Sequence, residues 1–226
     1  LHGKYFFGVD SDDIMTPDHV EKMVAYLQAH PEKSLVFCKL HSLVEETGEY
    51  RSVMQVIPKS KPRALFLDIL ISRNIIYTAI SYIVRTEAFE RVNHGRQIFV
   101  TRYGENYQLL MPLLYEDAIG LLDDILGDYL VRGDSYTAGL RDPLKSIEAL
   151  DAQIVTVSET LKRMEISDAE KYRRIAQKRL LRDSFYVSIR SADPRLVKTR
   201  MLLLKKNGVA GIKPRLLYLR FRRKHS

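Results

Sequence analysis

Three aspartates fall within four residues, Asp10, Asp12 and Asp13, directly after the apolar run Tyr5-Phe6-Phe7-Gly8-Val9. Clustered carboxylates suit a hard divalent cation such as Mg²⁺ or Mn²⁺, which in turn holds a diphosphate. Asp and Ser are also turn and cap residues, so by themselves these positions read equally as a metal site or as an acidic loop capping the helix that follows. Farther along, Glu105 in Tyr103-Gly104-Glu105-Asn106 is either a general base or a charge that complements the positive end of a helix dipole. In Arg132-Gly133-Asp134-Ser135, Arg132 is a fixed cation able to meet diphosphate charge or to pair with Asp134. The six histidines, His2, His19, His30, His41, His94 and His225, show no zinc spacing and are expected at the surface or in loops. Cys38 is expected as a small core residue, and no Gly-x-Ser-x-Gly or glycine-rich phosphate loop is present.

The elements that must position these residues follow from periodicity. Tyr5 to Val9 is too short for a helix and reads as a strand buried on both faces, which puts the carboxylates at its carboxyl end, the edge where open α/β sheets bind ligands. Thr16-Pro17 supplies a cap and a first-turn proline, and Val20, Met23, Val24 and Leu27 predict an amphipathic helix that ends before Pro31. Ser34 to His41 reads as a strand, 45–49 as a turn and Ala64 to Ser72 as a helix. Asn74 to Arg85 reads as extended, its Tyr and Ile content favouring core packing over an acceptor groove. Tyr103 to Tyr115 reads as a helix that Pro112 should kink, and Leu126 to Val131 as a strand. This alternation predicts an α/β domain over residues 1–141. Beyond it, Ile147, Leu150, Ile154, Val157, Leu161 and Met164 mark one long helix. Ala169 to Ser191 and Pro194 to Lys206 continue a helical extension, 142–226, with Asn207-Gly208 as a stop and a last basic segment from Pro214.

At 226 residues and 46% apolar content the chain can bury a sizeable core, which excludes disorder as a whole. With 28% charged residues, no run reaches the roughly 18 to 20 apolar residues of a membrane span; the best, Ala64 to Ile83, is broken by Asp68, Arg73 and Asn74. A lone cysteine offers neither a disulfide nor a cysteine-rich zinc site, so a reduced, cytoplasmic setting is expected. Residues 1–170 hold 18 Lys and Arg against 26 Asp and Glu, net −8, and residues 171–226 hold 18 against 2, net +16. A basic tail on an acidic body predicts an anionic partner: phospholipid, nucleic acid or a phosphorylated substrate. Residues 213–224 mix Arg and Lys with Leu, Tyr and Phe as a helix lying on an anionic membrane would. The opening at Leu1, already inside an apparent strand and with no signal-peptide pattern, reads as a fragment.

The stretch Gly3-Lys4-Tyr5-Phe6-Phe7-Gly8-Val9-Asp10-Ser11-Asp12-Asp13-Ile14-Met15-Thr16-Pro17 closely resembles the mid-domain signature of family-2 glycosyltransferases, with its strand, DxD-type motif and proline-started helix. Tyr103-Gly104-Glu105-Asn106-Tyr107-Gln108-Leu109-Leu110 is similar to that family's Gly-Glu-Asp motif, and Arg132-Gly133-Asp134-Ser135-Tyr136-Thr137 to its later loop. The resemblance covers residues 1 to about 140 in family order. It implies a GT-A-like mixed sheet flanked by helices, whose amino-terminal nucleotide-binding half would precede Leu1. Asp12 would then coordinate Mn²⁺ or Mg²⁺ bridging the phosphates of a nucleotide-sugar donor, and Asp10 would contact the metal through water or the donor ribose. Asp13 would touch donor or acceptor, and Arg132 and Ser135 would lie in the loop closing over the donor phosphates. Where the family carries its basic aspartate this chain has Asn106, and an amide cannot accept the proton. Glu105 is therefore assigned as base, with Asn106 hydrogen-bonding the acceptor. The implied reaction is inverting transfer of a sugar to a glycan or lipid-linked acceptor in cell-surface polysaccharide synthesis, at the inner face of the membrane and without nucleic acid. The alternative is a non-catalytic remnant or accessory domain that binds a membrane or partner through its basic tail.

Overall fold

The computed structural model describes residues 2–74, 78–93, 98, 101, 103–116 and 118–225. Two compact units make up the chain, one of residues 1–98 and 106–133, the other of residues 99–105 and 134–226. The first is an α/β unit with a mixed sheet.

Its elements run β1 (Tyr5–Phe6), β2 (Ile14–Met15), α1 (His19–Ala29), β3 (Leu35–Val44), β4 (Glu49–Met54), α2 (Ala64–Leu70), a 3₁₀ turn at Ala79–Ser81, β5 (Tyr82–Arg85), α3 (Thr86–Val92), α4 (Glu105–Tyr115) and β6 (Ile119–Val131). Sheet order is β1-β5-β3-β6-β2, with β4 also on β3. β3 organises it. On one side β3 lies parallel to β6; on the other, Leu35 to Phe37 pair antiparallel with β5, and Leu40 to Val44 pair antiparallel with β4. Phe37, Leu40, Ile80, Ile83, Phe66 and Leu110 are among the fully buried side chains whose removal from water drives folding. The end of α1 is tied down by Arg85, whose guanidinium donates to the carbonyls of Leu27, His30 (3.4 Å) and Lys33 (2.8 Å). A cation at a helix carboxyl terminus meets both the free carbonyls and the negative end of the dipole.

Several expectations are corrected here. β1 is not buried on both faces: it forms one end of the described sheet, paired only with β5, and both its residues are half-buried. β4 carries no apolar alternation because five of its six side chains are exposed, so only the turn before it was readable. β6 starts seven residues before Leu126. From 37/121 to 41/128 it advances seven residues while β3 advances four, and the surplus forms bulges that push Asp123 into solvent, 94% exposed, where it pairs with Lys39. Helix α4 starts at Glu105, two residues after the expected Tyr103, and includes Pro112. Of the histidines, His19 is a core residue at 1% exposure, taking the inward position on α1 while Val20 faces out. Cys38 is buried as expected, and burial pushes its thiol up to about 12. His94 and residues 75–77 of the extended stretch lie outside the described residues.

The second unit is helical: α5 (Tyr136–Gly139), α6 (Pro143–Arg163), α7 (Ala169–Ser191), α8 (Pro194–Lys206) and α9 (Ile212–His225). Two helices start on an Asp-Pro pair. Asp142 accepts from the Lys145 amide at 2.9 Å, and Asp193 accepts from the Arg195 and Leu196 amides at 2.8 and 3.2 Å, with the proline at the first helical position. α8 ends at Asn207, after which Gly208 takes φ +67° and the Val209 amide bonds back to the Leu204 carbonyl at 2.9 Å. Leu181, Phe185, Val197, Met201, Leu204, Ala210 and Phe221 form the core that joins α7, α8 and α9. Arg200 on α8 reaches Asp151 on α6 at 2.7 Å. Among the described residues no helix is long and apolar enough to cross a membrane.

Candidate functional site

The loop between β1 and β2 carries Asp10, Asp12 and Asp13, closed by a turn in which the Asp13 amide donates to the Asp10 carbonyl at 3.1 Å. β1 lies at one end of the sheet order and β2 at the other, so the loop leaves the carboxyl end of β1 and connects the two ends of the order. The capping interpretation fails on geometry. β2 separates the three aspartates from α1, which starts at His19 with Asp18 in its cap position. Asp10 is exposed, and Asp12 and Asp13 are half-buried.

Arg132, at the end of β6, ion-pairs with Asp12 at 3.1 Å, so the loop after β6 and the loop after β1 meet. Beside this pair the Asp13 carboxyl is raised from 3.8 to about 6, first by burial, then by the negative charges of Asp10 and Asp12. Its Oδ2 is buried without a hydrogen-bond partner among the described residues. A carboxyl whose ionisation is opposed first by burial and then by its neighbours' charge marks a place where a cation would be welcome. No group of three or more His, Cys, Asp or Glu among the described residues is arranged to hold a metal. A Mg²⁺ completed by substrate phosphates and water takes only one or two protein carboxylates.

No family model matches the chain, and no curated protein matches it. The site therefore stands on its own chemistry.

Asn106 belongs to the same unit, and its side-chain oxygen accepts from the Tyr82 hydroxyl at 2.9 Å. Tyr82 is 2% exposed and stacks edge-on to Phe37, 5.6 Å between ring centroids. Tyr82 lies on β5, which pairs with β1 at Tyr5 and Phe6. Asn106 is thus anchored to the strand next to β1. The Glu105 side chain lies outside the described residues. Ser135 belongs to the helical unit, where its hydroxyl accepts from the Ala138 amide at 3.1 Å and opens α5.

Sequence reasoning missed a second polar group on the same sheet. In one row Ile14, Asp128 and His41 stand side by side; His41 Nδ1 is 3.4 Å from Asp128 Oδ1, and the Tyr50 hydroxyl donates to Asp128 Oδ2 at 3.5 Å. Nothing local links these residues, since Tyr50 sits on the unpredicted β4. His19 was missed likewise: Nδ1 donates to the Leu126 carbonyl at 2.8 Å, and the buried Nε2 has no partner. A cleft of about 340 Å³ where β3 and β6 bulge apart is lined by Phe37, Cys38, Val56 and Leu122 and shares no residue with the aspartate loop.

Proposed function

We propose that this chain carries the metal-binding and donor-phosphate part of a family-2-like glycosyltransferase with a GT-A-like sheet. It would transfer a sugar, with inversion, from a nucleotide-diphosphate sugar to a hydroxyl of a glycan or lipid-linked acceptor. The observation that carries this reading is the Asp12–Arg132 pair next to the Asp13 carboxyl. Carboxylates and a guanidinium side by side suit a diphosphate with its cation, because the metal takes the acidic side and the fork of Arg132 takes phosphate oxygens. Arg132 would then exchange Asp12 for the donor, which frees Asp12 for the metal. Mn²⁺ or Mg²⁺ bound there supplies charge neutralisation of the departing nucleoside diphosphate. Asp13 would hold the donor or acceptor.

The acceptor hydroxyl must lose a proton as it attacks. Asn106 cannot take it, and its place beside Tyr82 suits holding the acceptor. Glu105 is the carboxylate tested for that role below. A non-catalytic reading has one observation in its favour: an amide, bonded to a buried tyrosine, stands where the base is expected.

The test is titration calorimetry of the chain with a panel of nucleoside diphosphates, with and without Mn²⁺. The expected result is metal-dependent binding, weakened at least about tenfold by Asp12→Asn and by Arg132→Met, the loss of one charge-assisted contact at about 1.4 kcal/mol or more. Binding of no nucleoside diphosphate in the presence of metal, or binding indifferent to both substitutions, refutes the reading. In a version of the chain that turns over, undiminished rate in Glu105→Gln removes Glu105 as the base.

A further inference from the structure

Helix α9 has two apolar faces, and the fold uses only one. Pro214, Leu217, Tyr218 and Phe221 turn inward at i, i+3, i+4 and i+7; Pro214 and Phe221 are buried, and Leu217 and Tyr218 pack on the core of α7 and α8. Ile212, Leu216 and Leu219 also recur at i, i+4 and i+7, and they are 80%, 52% and 51% exposed. On a helix of roughly 3.6 residues per turn these three fall within an arc of about 60°, on the order of 180° from the buried face. Arg215 and Arg222 flank that outer stripe on one side and Lys213, Arg220 and Lys224 on the other, with Arg223 continuing it. The helix holds no Asp or Glu, and none of Arg215, Arg220, Arg222, Arg223 and Lys224 has an ion-pair partner among the described residues.

We infer that the outer face of α9 docks flat on an anionic lipid surface, with Ile212, Leu216 and Leu219 entering the acyl boundary and the flanking cations at the level of the phosphates. An aliphatic stripe bordered on both sides by cations, of which Arg215, Arg220, Arg222, Arg223 and Lys224 hold no ion pair among the described residues, matches a bilayer surface, which offers hydrocarbon beneath a layer of negative charge. Lys and Arg stems lie along the apolar boundary while their heads reach the phosphates. Nucleic acid satisfies the cations but leaves three exposed aliphatic side chains against phosphate and sugar, and a second copy of α9 brings like charge to like charge. Since the inner face already anchors the helix, docking needs no refolding and little ordering cost. The inference stands on the helical unit alone, independently of the glycosyltransferase reading.

The experiment is co-sedimentation of the full chain with vesicles of phosphatidylcholine alone and of phosphatidylcholine mixed with phosphatidylglycerol, over a range of salt. Binding is expected only to the anionic vesicles and should weaken with salt. Leu216→Gln with Leu219→Gln should reduce partitioning by about tenfold or more, since each removes exposed apolar area that only the bilayer would cover. These side chains are solvent-exposed, so the melting temperature should stay that of the parent chain. Arg220→Glu with Arg223→Glu should produce a similar or larger loss. Failure to bind either vesicle, equal binding to both, or binding indifferent to the leucine pair overturns the inference. So does tight, salt-sensitive binding of duplex DNA that outcompetes the vesicles, or a concentration-dependent dimer abolished by the leucine pair. Nucleoside diphosphate titration reads the catalytic proposal separately, so either can fail without the other.

Discussion

The fold resists ionisation of Asp13. Its carboxyl is raised from 3.8 to about 6, so between those values the native chain holds more protons than the unfolded chain, and stability falls as pH rises through that window. The penalty is absent below about pH 4 and complete above about pH 6. Solvent screening of a half-buried group leaves it on the order of 1 kcal/mol. Asp13→Asn should therefore raise the melting temperature by about 2–4 °C at neutral pH and by nothing near pH 4, as read by thermal melts at both pH values. Equal melting at neutral pH would mean the carboxyl is solvated like any other. Mn²⁺ affinity in the parent chain should rise through the same interval, since the cation competes with the proton. At Tyr82 the hydroxyl is satisfied by Asn106, so Tyr82→Phe leaves the amide oxygen short of one donor and should cost about 1 kcal/mol in urea unfolding. The carboxylate cluster was legible in the sequence because its members are neighbours. Its guanidinium partner was legible only as a candidate, since Arg132 could as well have paired with Asp134.

Among the elements, β2 shows how two residues can matter. Ile14 and Met15 pair antiparallel with Asp128 and Gly127, which returns the aspartate loop to the sheet. A Cβ at Gly127 would stand 2.5 Å from the Ile14 carbonyl oxygen and 3.0 Å from the Ile80 side chain. Gly127→Ala must push the two strands apart, with an expected cost of about 1–3 kcal/mol in chemical unfolding and weakened metal binding in the same protein. A change smaller than a few tenths of a kcal/mol would show that β2 yields freely. At α8 the Asp193 carboxylate caps two amides, and Asp193→Ala should cost about 1 kcal/mol. Helix starts of this kind, Asp-Pro at 142–143 and 193–194, were readable because capping needs only residues a few positions apart. β4 and the first half of β6 were not readable, because an exposed hairpin strand and a bulged strand carrying Asp123 and Asp124 lose the period that announces a strand.

For the molecule as a whole, the two units rest on separate cores, one around Phe37, Phe66 and Leu110, the other around Phe185, Met201 and Phe221. Phe185 is fully buried, and Phe185→Ala should cost about 3–5 kcal/mol by leaving a cavity between α7, α8 and α9. Urea unfolding followed by the helical signal measures this, and a cost under about 1 kcal/mol would mean that the helices close over the gap. Charge divides as unevenly as architecture: net −8 over residues 1–170 against +16 over residues 171–226. The acidic part holds the aspartate site, and the basic part carries α9.

Composition, charge division, helix ends and the run of carboxylates were determined by the sequence itself, because each depends on residue types or on neighbours within a turn of chain. Only tertiary structure decided that Arg132 meets Asp12, that His19 rather than Val20 faces inward, and that Asp128 meets both His41 and Tyr50. The Asp128–His41 contact depends on strand register across β3 and β6, and the others on which elements pack together, which no local pattern encodes. α9 shows the same division. Its leucines and arginines were visible in the sequence, but which of its two apolar faces is spent on the core follows only from where α7 and α8 lie.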